Sequence, residues 1–374
     1  MKITVPTIDF GTSKIVTMVA QSNGERCDIV GSGAVPYSGY LQDGWNNPDE
    51  IRDVIRTAID QAQKTGNCRI HELNVGVPGM FTRVIVKEVH VSLTGPDPHV
   101  TAQDVRACFK LAEESGGDRI IHSAPAWFRV DDGKKTLSPV GIKGRELSAM
   151  IALVTADKYF IDDITYRLRD MDIEPREFYS TVAGEATYAL SQDERDKTAM
   201  LIDIGYLCTD VMVMEGDALI FHKCLDIGGG HISADIAEQL NIPFPFVEEK
   251  IKQTYSFNST NQDETYVIPA TEDEPARTVR RDEVTPIIEA KVEEIAEAIN
   301  KALEEGGVKL GKWSNVYLTG GGLILNKGGK DFLAGKLHRI IREAQRTNNK
   351  MTSHVFSSAV GLTILVVTTQ EEQK

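Results

Sequence analysis

The chain has 374 residues, 41% of them hydrophobic, and a formal net charge of −14. That length favours two or more domains, and the apolar content is enough for ordinary packed cores, which excludes disorder of the whole chain. With no basic tract to neutralise phosphates, the chain is a poor candidate for sequence-independent nucleic-acid binding. The five cysteines (Cys27, Cys68, Cys108, Cys208, Cys224) show no C-x-x-C pair. Neither a zinc site nor a disulfide framework is expected, and a reducing cytoplasm fits. The N-terminus lacks the apolar run of a signal peptide, and no stretch approaches the ~18 apolar residues of a membrane span. The apolar run 359–367 is expected to be a buried helix.

In chain order, alternating apolar residues and turn signals predict strands over 3–8, 15–20 and 28–33. A helix follows, with Asn47 as N-cap, Pro48 at its first position and Glu50 three residues after the cap. Its stripe of Ile51, Val54, Ile55, Ala58, Ile59 and Ala62 ends at Gly66. The plan then recurs, with strands over 200–204, 210–214 and 218–224 before a helix carrying Ile232, Ile236 and Leu240. Ile8-Asp9-Phe10-Gly11 and Ile202-Asp203-Ile204-Gly205 stand about half the chain apart. A duplicated lobe is implied, each copy presenting one aspartate at a strand end, the two turned toward one cleft.

Between the copies, 72–155 reads as an inserted α+β segment. It holds strands over 73–77 and 83–91, a helix capped by Thr101 and Asp104, and strands near 120 and over 147–154. The polar stretch 256–282 reads as a loop or hairpin. A long helix follows, its apolar face formed by Val284, Ile287, Ile288, Val292, Ile295, Ile299 and Leu303. Lys336, His338, Arg339, Arg342 and Arg346 take helical spacing beside Leu333, Leu337, Ile340 and Ile341, as on a solvated helix face.

Asp9 is followed by Gly11, Thr12 and Ser13, whose amides can approach a phosphate, and then by Lys14. Taken alone, the hexapeptide reads equally well as a polar turn. Asp203 and Gly205 with Thr209 and Asp210 offer the second half of a clamp. An acid from each lobe would hold magnesium through its waters, since that ion dehydrates reluctantly. Gly320, Gly321 and Gly322 follow a short strand, where a base or ribose could lie against backbone. The eight histidines show no metal-ligand spacing.

With these motifs in place, the sequence resembles the actin-like ATPase superfamily, and within it the bacterial cell-division FtsA family. Residues 8–14 match the first phosphate loop, 318–322 the adenosine loop, 141–147 the end of the family's own insertion, 189–195 the connector and 357–362 the last helix of the first lobe. The resemblance implies an α/β fold of the actin-like, ribonuclease H-like type, duplicated and two-lobed, with an inserted α+β FtsA-type subdomain. The expected lobes are 1–71 with 156–197 and 355–374, and 198–230 with 301–354; the insertions are 72–155 and 231–300. It also implies ATP and magnesium as ligands. Asp9, Asp203 and Glu185 would stand at the reacting end, the last orienting a water, and Glu249 and Lys252 would reach ribose and base. The partners implied are FtsZ, further copies of the chain in filaments and other division proteins, at the inner face of the membrane at the division site. Two departures stand out. Tyr206, Leu207 and Cys208 replace the usual Gly-Gly-Thr, which predicts slow hydrolysis. The sequence also stops at polar residues rather than at an amphipathic helix, so membrane contact is expected only through partners. Phosphotransferases of the sugar and acetate kinase type, and a pilus-assembly actin relative, remain alternative readings.

Overall fold

In the computed structural model the chain opens with β1 (Ile3–Phe10), β2 (Lys14–Ser22) and β3 (Cys27–Pro36), an antiparallel meander in which Asp9 pairs with Val16 and Phe10 with Ile15. The two-residue ribbons β4 (Tyr40–Leu41) and β5 (Gly44–Trp45) lead into α1 (Ile51–Gly66). The buried residues of α1 are the six of the predicted stripe, and Asn67 ends it in the left-handed conformation. Its start differs from the expectation. Asn47 is no cap, because its amide donates to the Glu50 carboxylate at 3.3 Å, and the helix begins only at Ile51.

β6 (Glu72–Val77) corrects a second expectation. It pairs in parallel with β1 and with β10 (Glu174–Ser180), giving a sheet of order β10-β6-β1-β2-β3. The insertion therefore begins after Val77 rather than at residue 72. It is the antiparallel sheet of β7 (Thr82–Ser92), β8 (Ile120–Val130) and β9 (Glu146–Ala156), in order β7-β9-β8. On this sheet packs α2 (Ala102–Glu114), with the expected Thr101–Asp104 capping box. The chain returns through α3 (Lys158–Arg169), β10, α4 (Thr181–Ala189) and α5 (Gln192–Arg195).

The second meander is β11 (Ala199–Ile204), β12 (Thr209–Glu215) and β13 (Ala218–Leu225). After it come α6 (Gly229–Gln239), the single turn α7 (Phe244–Phe246) and a wide helical turn over Val247–Lys252. The polar stretch forms the hairpin of β14 (Thr265–Ile268) and β15 (Arg277–Arg280), followed by α8 (Arg281–Glu305) with all seven predicted apolar residues buried. β16 (Asn315–Thr319), α9 (Gly329–Leu337), β17 (Ile341–Glu343) and α10 (Ser357–Glu372) complete the chain. The predicted basic helix face is overturned. α9 stops at Leu337, where His338 turns left-handed, and 341–343 is a strand parallel to β16. Arg346 lies outside the described residues, which are 3–41, 44–117, 119–261, 263–270, 275–311, 314–344 and 353–373. The second five-stranded sheet, β13-β12-β11-β16-β17, repeats the order of the first, so the duplication read from the tetrapeptides holds for the whole sheet.

The chain divides into two units, Met1–Leu201 with Met212–Lys223 and Gln345–Lys374, and Ile202–Val211 with Cys224–Ala344. In the first, the two-residue period of β1 decides what each side chain meets. Ile8 and Phe10 join α1 and α3 in a core that holds Trp45, Phe81 and Phe160. Val5, Thr7 and Asp9 belong to the other face. Val5 packs with Leu362 and Val366 of α10, and Thr7 shares a 2.8 Å hydrogen bond with Thr363. As expected of a helix buried among other elements, α10 carries apolar residues around its circumference. It crosses α4 with the two backbones touching, since a Cβ on Gly361 would lie 2.5 Å from Glu185 Cα.

Candidate functional site: two aspartate hairpins

The strand period that turns Phe10 into the core turns Asp9 toward the first turns of α4 and α10. Ser358 Oγ donates to Asp9 Oδ2 at 2.8 Å, and Thr181 Oγ1 to Oδ1 at 3.4 Å. Asp9 is 3% exposed, and burial pushes its carboxyl above the usual carboxylate range despite these bonds and the charge of Lys14. The following turn closes through Gly11 N–H donating to Lys14 C=O at 3.0 Å. Thr12 is buried within it, Ser13 is half-buried, and Lys14 Nζ lies 5.4 Å from the Phe356 ring centre. Glu185 is buried on α4 at the crossing with α10. The first unit thus gathers Asp9, Gly11, Thr12, Ser13, Lys14 and Glu185 around the starts of two helices. Thr181 and Ser358 are additions that sequence reasoning missed.

The second hairpin closes in the same way, Gly205 N–H donating to Cys208 C=O at 2.9 Å. None of Gly205, Tyr206 and Leu207 has a positive φ, so this turn requires no glycine at the two replaced positions. Two glycine segments hold this tip. Gly322 N–H donates to Ile204 C=O at 2.7 Å, Gly229 N–H to Gly205 C=O at 2.9 Å and Gly230 N–H to Tyr206 C=O at 2.7 Å. Gly320, at φ +87°, rests its Cα against the Asp203 carboxylate, and a Cβ there would lie 2.0 Å from Oδ1. Gly321 is half-buried in the same loop. The Gly228-Gly229-Gly230 run at the start of α6 went unread in the sequence, although three successive glycines opening a helix are a signal of close backbone approach.

Lys252 joins this group and Glu249 does not. Lys252 is 8% exposed and donates from Nζ to Gly229 C=O at 2.7 Å and to Glu248 at 3.2 Å. Burial draws its ammonium below the usual range, and Glu248 opposes that shift. Glu249, one residue on, is exposed. The Tyr206 ring lies against Gly230, with Lys252 Nζ 5.7 Å from the ring centre. Thr209 is turned the other way, its hydroxyl donating to Ile227 C=O at 2.7 Å. Asp210 sits instead beside Cys208 and Cys224. Two of the five cysteines thus meet across β12 and β13, although their spacing in the sequence shows no pair.

Two family models match the chain: "Cell division protein FtsA" over residues 200–361 and "SHS2 domain inserted in FTSA" over 79–155, together more than half of its length. The chain belongs to the FtsA family. It is 26% identical to the cell division protein FtsA of Pseudomonas aeruginosa, over 84% of this chain and 76% of that one. To FtsA of Bacillus subtilis it is also 26% identical, over 80% and 70%. Among solved structures it resembles the PilM–PilN type IV pilus biogenesis complex, with a TM-score of 0.64 and 17% identity over 98% of this chain and 99% of that one. MreB5 of Spiroplasma citri bound to ADP gives 0.57 and 11%, over 99% and 98%. The FtsA-family chain therefore has the actin-like fold, and its inserted SHS2 subdomain is the antiparallel β7-β9-β8 sheet with α2. No helix among the described residues is long and apolar enough to cross a membrane.

Proposed function

We propose that this chain is an ATP-binding actin-like scaffold of bacterial cell division, which polymerises and links FtsZ to the division machinery at the membrane through its partners. The observation that carries the reading is the pair of aspartate hairpins closed by one kind of turn, in a chain that carries the SHS2 insertion. The residues fit magnesium and ATP. A buried carboxylate held above its ordinary pKa, as Asp9 is, is the kind of group a hydrated divalent ion offsets. Asp9 and Asp203 would hold the ion through its waters. Gly11, Thr12, Ser13, Lys14 and Gly205 would receive phosphate oxygens, Gly320 to Gly322 with Lys252 the nucleoside, and magnesium would supply charge neutralisation of the phosphates.

A partner site for FtsZ is proposed on the second unit. A pocket of about 600 Å³ there is lined by Tyr255, Phe257, Thr285 and Pro286 with Arg281, Asp282 and Glu289 beside them; Arg281 is paired with Glu264, so what the pocket offers a peptide tail is its apolar floor. The test is binding of a fluorescent FtsZ C-terminal peptide to the full chain. Saturable binding, lost when Thr285→Trp fills the pocket, is expected. Unchanged binding in that variant removes the site, and no binding by the wild type removes the partner.

Hydrolysis is expected to be slow, and Tyr206 supports that. The Gly229 and Gly230 N–H groups at the start of α6 donate to the Gly205 and Tyr206 carbonyls, and the Tyr206 ring covers Gly230, so the donors of this tip are turned inward instead of toward a phosphate. Tyr206→Gly with Leu207→Gly is expected to raise phosphate release by roughly a hundred-fold, the scale set by one preorganised donor. A wild-type rate that the double variant fails to improve contradicts the reading.

A further inference from the structure

The most self-contained cluster outside the proposed nucleotide ligands joins Cys208, Asp210 and Cys224. Both sulfurs and a carboxylate oxygen lie within 4.8 Å of one another. The chain geometry explains the meeting. Cys208, the residue before β12, and Asp210 within it stand two apart, the spacing that puts extended residues on one face. Cys224 stands near the end of the neighbouring β13. Neither cysteine is in a disulfide, and the two thiols hydrogen-bond to each other, Cys208 buried and Cys224 half-buried. The bland reading is a pair of small core thiols with Cys224 hydrogen-bonded to Cys208 and Asp210; the same three donor atoms converge on one another as the ligands of a metal do.

We propose that Cys208, Asp210 and Cys224 form a zinc site that ties the tip of the second hairpin to the end of β13. Zinc accepts thiolate and carboxylate together, at about 2.3 Å from sulfur and 2.0–2.2 Å from oxygen, so tetrahedral donors sit about 3.8 Å apart. Donors within 4.8 Å of one another need to close by only about an ångström. Two soft sulfurs disfavour magnesium and calcium, which take oxygen ligands. Three protein ligands leave the fourth position to water, as in open rather than sealed zinc sites. Binding replaces thiol protons, so each zinc taken up releases protons to the medium. The ligand residue Cys208 also closes the turn by accepting from Gly205 N–H, so metal occupancy fixes the hairpin itself. The site stands whether or not nucleotide binds.

The test uses the full chain, reduced and kept from air, titrated with cobalt(II) chloride as the optical stand-in for zinc. One equivalent is expected to produce a thiolate-to-cobalt charge-transfer band that zinc chloride bleaches. Cys208→Ser and Cys224→Ser each lose that band in part, their double variant loses it entirely, and Asp210→Asn keeps it while shifting the visible ligand-field bands. A second measurement needs no variant. Zinc is expected to shield Cys208 and Cys224 of the wild type from alkylation, read by peptide mass, and to leave Cys27, Cys68 and Cys108 unchanged. No band at one equivalent, the same band in the double variant, or no shielding would overturn the site. So would a disulfide between the two cysteines in a chain that takes up no metal.

Discussion

Asp9→Asn is expected to make the ligand-free chain more stable at neutral pH, by about 0.5–2 kcal/mol, and to abolish its response to magnesium and ATP. The side chain is nearly isosteric, and its amide can keep both hydroxyl partners by accepting from Ser358 and donating to Thr181. What changes is the charge. Burial is the largest influence on the Asp9 carboxyl and raises its pKa above the ordinary value of 3.8. The folded state therefore holds the proton more tightly than the unfolded chain does. Below the unfolded pKa that preference costs nothing. As pH rises from there through the folded pKa, stability is lost, and above it the full cost of a buried carboxylate persists. Asparagine removes that cost, so its advantage is full above the folded pKa and shrinks as pH falls toward the ordinary carboxyl value of 3.8. Urea unfolding of both proteins across pH reads the difference. A variant less stable than wild type at pH 7 would mean that Ser358, Thr181 and Lys14 outweigh burial. Retained magnesium-ATP binding would remove Asp9 from the site.

Gly320→Ala is expected to cost roughly 2–5 kcal/mol of stability and to lose nucleotide binding in the same step. Gly320 sits at φ +87°, a backbone region that costs an L-residue about 1–2 kcal/mol. The added carbon would also meet Asp203 Oδ1 at 2.0 Å and Ile204 C=O at 2.3 Å. The carbonyl belongs to the strand and cannot swing aside, so overpacking adds about 1–3 kcal/mol. Relief comes only by displacing the Asp203 hairpin, which couples the fold of this loop to the proposed clamp. Gly335→Ala is the matched control, a helical glycine whose added carbon meets nothing within 4 Å, and it should gain about 0.5–1 kcal/mol. Denaturant midpoints decide between them. Equal midpoints for Gly320→Ala and wild type would mean that the glycine loop does not seat the hairpin.

Much of the fold was legible because local rules and tertiary packing agree. The α1 and α8 stripes, the Thr101 cap, the polar hairpin and both meanders follow from periods and turn chemistry that packing reinforces. Legibility failed where distant pairing overrides local pattern. The stretch around β6 looks like the segment that follows it, and only its pairing with β1 and β10 assigns it to the first sheet. Ile341 to Glu343 continues a helical spacing, yet a left-handed His338 and the open edge of β16 make it a strand. In the site, both aspartate hairpins were readable from their motifs, whereas Lys252 was named only through the family resemblance. The hydroxyls on Asp9 were not, standing 172 and 349 residues away at the starts of two helices. Glu248 rather than Glu249 meets Lys252, since a wide helical turn decides which carboxylate faces inward. The Cys208–Cys224 approach depends on strand pairing that no cysteine spacing encodes.

The central claim is that the duplicated hairpins together hold magnesium and ATP, and calorimetric titration of the purified chain with ATP, with and without magnesium, tests it most directly. The account predicts one saturable site that tightens with magnesium and is lost in both Asp9→Ala and Asp203→Ala, with each variant's fold checked by circular dichroism. Magnesium-ATP binding of wild-type strength in either folded variant, or none in the wild type, would contradict it.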